Sequence, residues 1–215
     1  VSLSEFDYFL EVGWRWIIRG IEQNKLIVFH DSQLPRYRGF APLVNCLLAR
    51  EKYIGVTSLF GVETYDTGNI LCQRSVAVTY PTTIGREIEN ISNVYAELAE
   101  ETLAGLISGS LPKDGVPQDE SLATYSLWRD EEDYLINWKG SSQDILHFIS
   151  CLGYPYKGAS TRCGNELFRV FDAHIREDVV IENRTPGKVI FWKEGNCPVV
   201  VCGKGLLTLT DIRHH

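Results

Sequence analysis

The sequence predicts an α/β domain followed by a small β-rich one, and three observations carry that prediction. A continuous apolar run from Lys25 through Leu26-Ile27-Val28-Phe29 to His30 lacks alternation, as expected of a strand buried on both faces in a parallel α/β sheet. A long amphipathic pattern between Thr83 and Gly109 reads as one helix. Beyond it, short β-prone segments are set apart by Gly164, Gly187, Gly195 and Gly203, which suits a small antiparallel barrel or sandwich.

The elements follow in order. Phe6 to Val12 is a β-prone run ended by Gly13, and Trp14 to Ile18 leads into a turn and a short helix. The buried strand to His30 comes next. A loop from Leu34 to Pro42 precedes a helix over Leu43 to Arg50. Ile54 to Phe60 and Asn69 to Thr79 are further strands. Thr83 caps the long helix, with Ile84, Ile88, Ile91, Tyr95, Leu98 and Leu106 on its apolar stripe and Glu87, Glu89, Glu97, Glu100 and Glu101 facing water. Residues 1–108 are read as one domain, 109–123 as a linker punctuated by Gly109, Pro112, Gly115 and Pro117, and 124–213 as the β-rich domain. In the latter, Ser141 with Asp144 opens a helix to Leu152. Strands are expected over Leu167–Ala173, Val179–Glu182, Lys188–Trp192, Val199–Cys202 and Leu206–Ile212.

Composition narrows the function. The 215 residues are 44% hydrophobic and 23% charged, which excludes a disordered tail, a collagen-like chain and a coiled coil. No apolar run approaches the roughly 20 residues of a membrane span. A net charge of −7, without a Lys/Arg block, argues against nucleic-acid and anionic-membrane partners. Six scattered cysteines without a C-x-x-C pair, and acid at Glu5 and Asp7 where a signal peptide needs base, predict a reducing, cytoplasmic setting. The chain contains no Met, which reads as a fragment, and His214-His215 reads as a tag remnant or frayed end; no metal site is expected.

The chemistry is expected at two blocks. The first is His30-Asp31-Ser32-Gln33-Leu34-Pro35-Arg36-Tyr37-Arg38-Gly39. The second is Gly55-Val56-Thr57 followed by Tyr65-Asp66-Thr67-Gly68. His30 ends a buried strand, and open α/β sheets bind ligands beyond the carboxyl ends of their strands. Asp66 precedes a Gly-containing turn that can aim its carboxylate at the same edge, and a histidine beside a carboxylate is a proton-transfer pair.

Taken together, His30, Ser32, Leu34, Pro35 and Gly39, then Gly55-Val56-Thr57, then Asp66 and Gly68, resemble the motifs of the 10-formyltetrahydrofolate-dependent formyltransferase family. The resemblance implies a Rossmann-like catalytic domain, entered well inside its usual start, and an OB-like C-terminal domain. Two missing βα units would amount to about 60 residues, and those strands normally carry part of the amine site. The co-substrate implied is 10-formyltetrahydrofolate. The catalytic residues implied are His30 and Asp66, with Gly13, Trp14, Arg15, Trp16 and Ile18 forming one wall of the folate slot and Glu63, Thr64, Tyr65 and Asp66 the other. Ser32, Arg36, Arg38 and Gly39 are the expected substrate contacts, the arginines toward phosphate.

One position departs from the family. Two residues before its histidine the family usually carries Asn, an amide donor to the oxyanion, and this chain has Val28. A backbone N–H or another side chain substitutes, or catalysis is slow. The acidic charge argues against a tRNA substrate, and the tail containing Trp128 and Trp138 resembles that of the sugar N-formyltransferases, which implies a small-molecule nucleotide-linked amino sugar as acceptor, with a homodimer allowed. A methionyl-tRNA formyltransferase-like enzyme and a catalytically impaired folate- or sugar-binding relative are the alternatives.

Overall fold

The computed structural model describes residues 5–14 and 16–214. They form two compact units: the chain up to Thr79 with Ile88–Trp128, and Tyr80–Glu87 with the chain from Arg129 onward.

The first unit is built on a four-stranded sheet of β1 (Phe9–Val12), β2 (Leu26–His30), β4 (Tyr53–Phe60) and β5 (Ile70–Ala77), in the order β1-β2-β4-β5. Only β1 and β2 are parallel; β4 runs antiparallel to both of its neighbours. The sheet is therefore mixed, where the apolar run had implied a parallel one. Burial of a central strand writes an uninterrupted apolar sequence whichever way its neighbours run. Leu26, Ile27, Phe29 and His30 are all buried.

Between these strands lie β3 (Arg38–Gly39) and α1 (Pro42–Leu48), which buries Leu43, Val44, Cys46 and Leu47. The long helix α2 (Ile84–Ser108) is a single element whose first turn belongs to the second unit. Thr83 Oγ1 accepts the Arg86 N–H at its start, and Gly109, at φ 69°, ends it. Ile84, Ile91, Val94 and Leu98 are its buried stripe. Its Tyr95 ring lies 6.4 Å from that of Phe29, Thr102 meets Ser58 at 2.8 Å, and Glu97 and Glu101 pair with Arg74.

Three expectations are corrected here. Residues 16–25 form turns and irregular structure in place of a short helix, and Gly20 at φ 82° stands in the middle of them. Glu87 is buried, 1% exposed, and accepts a hydrogen bond from Thr82 Oγ1 at 2.5 Å. The 109–123 stretch is part of the first unit: Val116 exchanges backbone hydrogen bonds with Ile70, and Asn69 donates to the Asp114 carbonyl. The chain stays there through β6 (Tyr125–Ser126), which pairs in parallel with β3. The division thus falls after Trp128, five residues later than composition placed it, because Thr124 to Ser126 spend their backbone hydrogen bonds on residues 35–40.

The second unit consists of α3 (Ser142–Cys151) and β7 (Ala159–Cys163), β8 (Glu166–Arg176), β9 (Val189–Lys193), β10 (Cys197–Val201) and β11 (Leu206–His214). Every strand pair is antiparallel, in the order β7-β8-β11-β10-β9. Among the described residues no ladder joins β7 to β9, and the outer side of β7 is bridged by Leu135 at Ser160. Val170, Ala173, Val200, Leu207, Ile145 and Ile149 are among its buried side chains. The strand expected at Val179–Glu182 is a loop. Arg184 clamps it, donating to the carbonyls of Cys202 and Val179 and to Asp178. Strand β7 escaped the sequence reading because Ser160, Thr161 and Arg162 break its apolar signal.

None of the six cysteines is in a disulfide, and among the described residues no helix is long and apolar enough to cross a membrane. At the start of α3, Ser141 Oγ accepts the Asp144 N–H at 3.1 Å and donates to its carboxylate at 2.7 Å. Ser141→Ala should destabilise the protein by about 1 kcal/mol in urea unfolding. An unchanged midpoint would show that the cap contributes nothing.

Candidate active site

His30 stands at the carboxyl end of β2, 7% exposed, with Thr57 of β4 as its register partner. Its Nε2 is 2.8 Å from the Tyr37 carbonyl, and its Nδ1 is 3.5 Å from Asp66 Oδ1. A carbonyl can only accept, so Nε2 carries a proton. Nδ1 then faces the carboxylate.

Asp66 reaches this position from a loop, residues 61–69, that folds back over one face of the sheet. Gly61 sits under the side chains of Leu26 and Val28, where an added Cβ would meet Leu26 Cδ2 at 2.5 Å. Asp66 itself is left-handed, at φ 56°. Gly68 has no alternative: a Cβ there would lie 1.7 Å from the Phe60 carbonyl oxygen. Asp66 Oδ2 accepts the Gly39 N–H at 2.8 Å, leaving Oδ1 toward the histidine.

The loop is held from behind. Gln118 Nε2 donates to the Asp66 carbonyl at 2.7 Å and to the Gly68 carbonyl at 2.8 Å. Its Oε1 accepts from Arg38 Nε at 3.1 Å and Nη2 at 2.7 Å. Arg38 is 1% exposed and also forks onto Glu120, at 2.9 and 2.7 Å. That bond to Glu120 raises the Arg38 pKa above the usual arginine value and lowers the pKa of Glu120. Arg38 thus spends four hydrogen bonds on Gln118 and Glu120, and its buried guanidinium is a structural cation.

Two other expected substrate contacts are also inward-facing. Ser32, 1% exposed, donates to the Arg36 carbonyl at 2.7 Å, and its own carbonyl accepts from Thr57 Oγ1. Gly39, at φ 100°, is hemmed by the Ser126 carbonyl and serves Asp66. Arg36 alone of the four turns outward, paired with Glu51 at 2.5 Å. Its hydrogen bond, followed by one from Tyr37, lowers the Glu51 pKa. Arg36, Tyr37, Cys46, Arg50, Glu51 and Lys52 line part of a cavity of about 380 Å³. Burial pushes the Cys46 thiol up to about 12.

Of the expected folate walls, Gly13 is at φ 70° with open space around it, and Trp14 and Trp16 are 61% and 68% exposed. Ile18 is half-buried, and Glu63, Thr64 and Tyr65 are exposed, with the Tyr65 ring 5.6 Å from Phe40. Arg15 lies outside the described residues. Open backbone beside flat aromatic surface is what a planar heterocycle needs.

Sequence reasoning missed Gln118, Glu120 and Glu11. Glu11 is 9% exposed, and its carboxylate accepts the Trp14 N–H at 2.5 Å. Burial raises its pKa; the Trp14 bond opposes that, the Asp66 charge adds to it, and His30 opposes it. The signal was available as one acid inside an apolar strand. Among the described residues no group of His, Cys, Asp and Glu side chains has the makings of a metal site.

Known proteins resemble the chain as a whole. Residues 17–104 match the model described as "Formyl transferase", and residues 129–215 match "Formyl transferase, C-terminal domain". The chain is 35% identical over 184 residues to a methionyl-tRNA formyltransferase of Carboxydothermus hydrogenoformans, covering 86% of this chain and 58% of that protein. It thus spans little more than half the length of such relatives. The formyltransferase PseJ from Anoxybacillus kamchatkensis, solved with UDP-4,6-dideoxy-4-formamido-L-AltNAc and tetrahydrofolate, is 26% identical over 61% of this chain and 70% of its own, with a TM-score of 0.53. The N-formyltransferase from Helicobacter canadensis, solved with folinic acid and dTDP-3-aminofucose, shares the fold over 99% of this chain and 78% of its own, at 17% identity and a TM-score of 0.71.

Gln118→Ala should cost about 1–3 kcal/mol, since two carbonyls and a buried guanidinium lose a partner together. Hydrogen exchange should rise in residues 61–69 before it rises elsewhere in the first unit. Exchange that rises uniformly would show that Gln118 does not hold the Asp66 loop.

Proposed function

The chain belongs to the formyl transferase family, and on that premise we propose that it carries the centre of an enzyme moving a formyl group from 10-formyltetrahydrofolate to the amine of a nucleotide-linked amino sugar. The observation that carries the reading is the buried His30–Asp66 pair at the sheet edge. The folate co-substrate, when bound, supplies the formyl carbon to be transferred. Gly13, Trp14 and Trp16 would hold it on one side and Glu63 to Asp66 on the other.

The residues of the chain have two tasks. An attacking amine must arrive neutral and shed one proton as its new C–N bond forms. Asp66, fixed by the Gly39 N–H, is placed to receive that proton or pass it to His30 Nδ1. The proton then returns to the folate nitrogen as the old C–N bond breaks, so the exchange balances. His30, with Nε2 tied to the Tyr37 carbonyl, keeps its ring in one orientation throughout. Positive charge on this ring also favours the negative charge that builds on the formyl oxygen.

Two features support a sugar acceptor: the net charge of −7, poorly suited to gripping a phosphate backbone, and the likeness to PseJ. Arg36 is the outward cation available to a nucleotide phosphate. The tRNA reading has its own observation, the 35% identity to a methionyl-tRNA formyltransferase.

In the protein that contains this chain, His30→Ala and Asp66→Ala should each lower formyl transfer by about 10²–10⁴. UDP- and dTDP-linked amino sugars should gain one formyl group by mass spectrometry, and methionyl-tRNA should not. Formylation of the tRNA alone would overturn the sugar assignment, and near wild-type turnover by His30→Ala would refute the mechanism.

A further inference from the structure

Val28 leaves the centre one hydrogen-bond donor short, and the sheet places an unassigned acid beside it. In the β1–β2 ladder the register partner of Val28 is Glu11. Partners in a parallel ladder send their side chains to the same face, and so do residues two apart on one strand. Glu11, Val28 and His30 therefore share one face of two adjoining strands, a strand spacing of about 4.8 Å apart. Asp66 is brought over that same face to reach His30.

The Glu11 carboxyl is buried and fixed. Trp14 N–H occupies Oε1, which leaves Oε2 as the oxygen able to carry a proton. Its charged surroundings are His30 and Asp66, together with Tyr95 of α2, which is itself bonded to Asp31. Asp31 and Asp66 are acids and Tyr95 bears no positive charge, so His30 is the one group among these that can favour ionised Glu11. The family match begins at residue 17 and assigns Glu11 nothing.

We propose that Glu11 is a further catalytic residue, a protonated carboxyl that donates to the formyl oxygen from beside Val28, where the family's amide would stand. The inference rests on the formyl-transfer reading above. No bond to Glu11 is made or broken beyond this hydrogen bond; its proton stays on Oε2. The sign of the pH dependence follows. The donor exists only while Glu11 is protonated, so its contribution is present at low pH and lost as pH rises through its pKa. Burial moves that loss upward from the ordinary glutamate range.

The test is a set of variants assayed for formyl transfer across pH. Glu11→Gln keeps a donor, so it should stay within about threefold of wild type and lose the alkaline decline that belongs to Glu11. Glu11→Ala should fall about 100-fold, the effect of removing one oxyanion donor. Adding Val28→Asn to Glu11→Ala should restore at least about tenfold. Independently of turnover, the Glu11 carboxyl carbon, identified by its absence in Glu11→Gln, should titrate in NMR above the ordinary value of about 4.3. Wild-type turnover by Glu11→Ala, a Glu11→Gln variant as slow as Glu11→Ala, or titration at or below the ordinary value would each overturn the proposal. His30→Ala separates the two levels. Transfer that vanishes in His30→Ala yet ignores Glu11 removes only this inference, whereas transfer indifferent to His30 removes the underlying reading as well.

Discussion

The buried guanidinium of Arg38 is the constraint on which the rest of the first unit depends. A charge excluded from water must be met on all sides. Gln118 and Glu120 meet it, and both lie about eighty residues downstream. Satisfying Arg38 therefore fixes the path of the chain after α2. Because Gln118 also binds the backbone at Asp66 and Gly68, the same interaction positions the acid that faces His30. Charge neutralisation in the interior and placement of the Asp66 carboxylate are one network here.

The second determinant is strand register. A slip by one residue between β1 and β2 would turn Glu11 away from the face of Val28 and His30. The pairing that sets Phe9 beside Leu26 also sets the acid next to the histidine strand. Packing and site geometry are specified together, which is why a four-residue edge strand matters to the chemistry.

The sequence made much of this legible. The apolar run gave β2, the amphipathic pattern gave α2, and Ser141 with Asp144 gave the start of α3, because each depends on neighbours in sequence. His30 stood out at the end of an apolar strand, and Asp66 before a Gly-containing turn, because two motifs place them there. Direction of pairing was not legible, since a buried strand reads alike in parallel and antiparallel company. Arg38 and Ser32 looked like ligand contacts because polar residues in a loop rich in Pro and Gly read as exposed. Their partners, Gln118 and the Arg36 carbonyl, are set by tertiary contact and by a backbone turn that composition does not encode. The stretch from 109 to 123 read as a linker for the same reason: its Pro and Gly residues signal irregular backbone, and irregular backbone can be as firmly held as a strand.

That last segment has a consequence for dissecting the protein. A fragment cut where α2 ends would contain β1 to β5, His30 and Asp66, and would look like a self-sufficient half. It would lack Gln118, Glu120 and the short ladder from Tyr125 to Ser126. Arg38 would then lose the partners that meet its charge, and the Asp66 loop would lose its Gln118 backing. The smallest excisable piece of the first unit extends through Trp128. β3 and β6 form one ladder although more than eighty residues separate them, so a cut between them leaves neither strand paired.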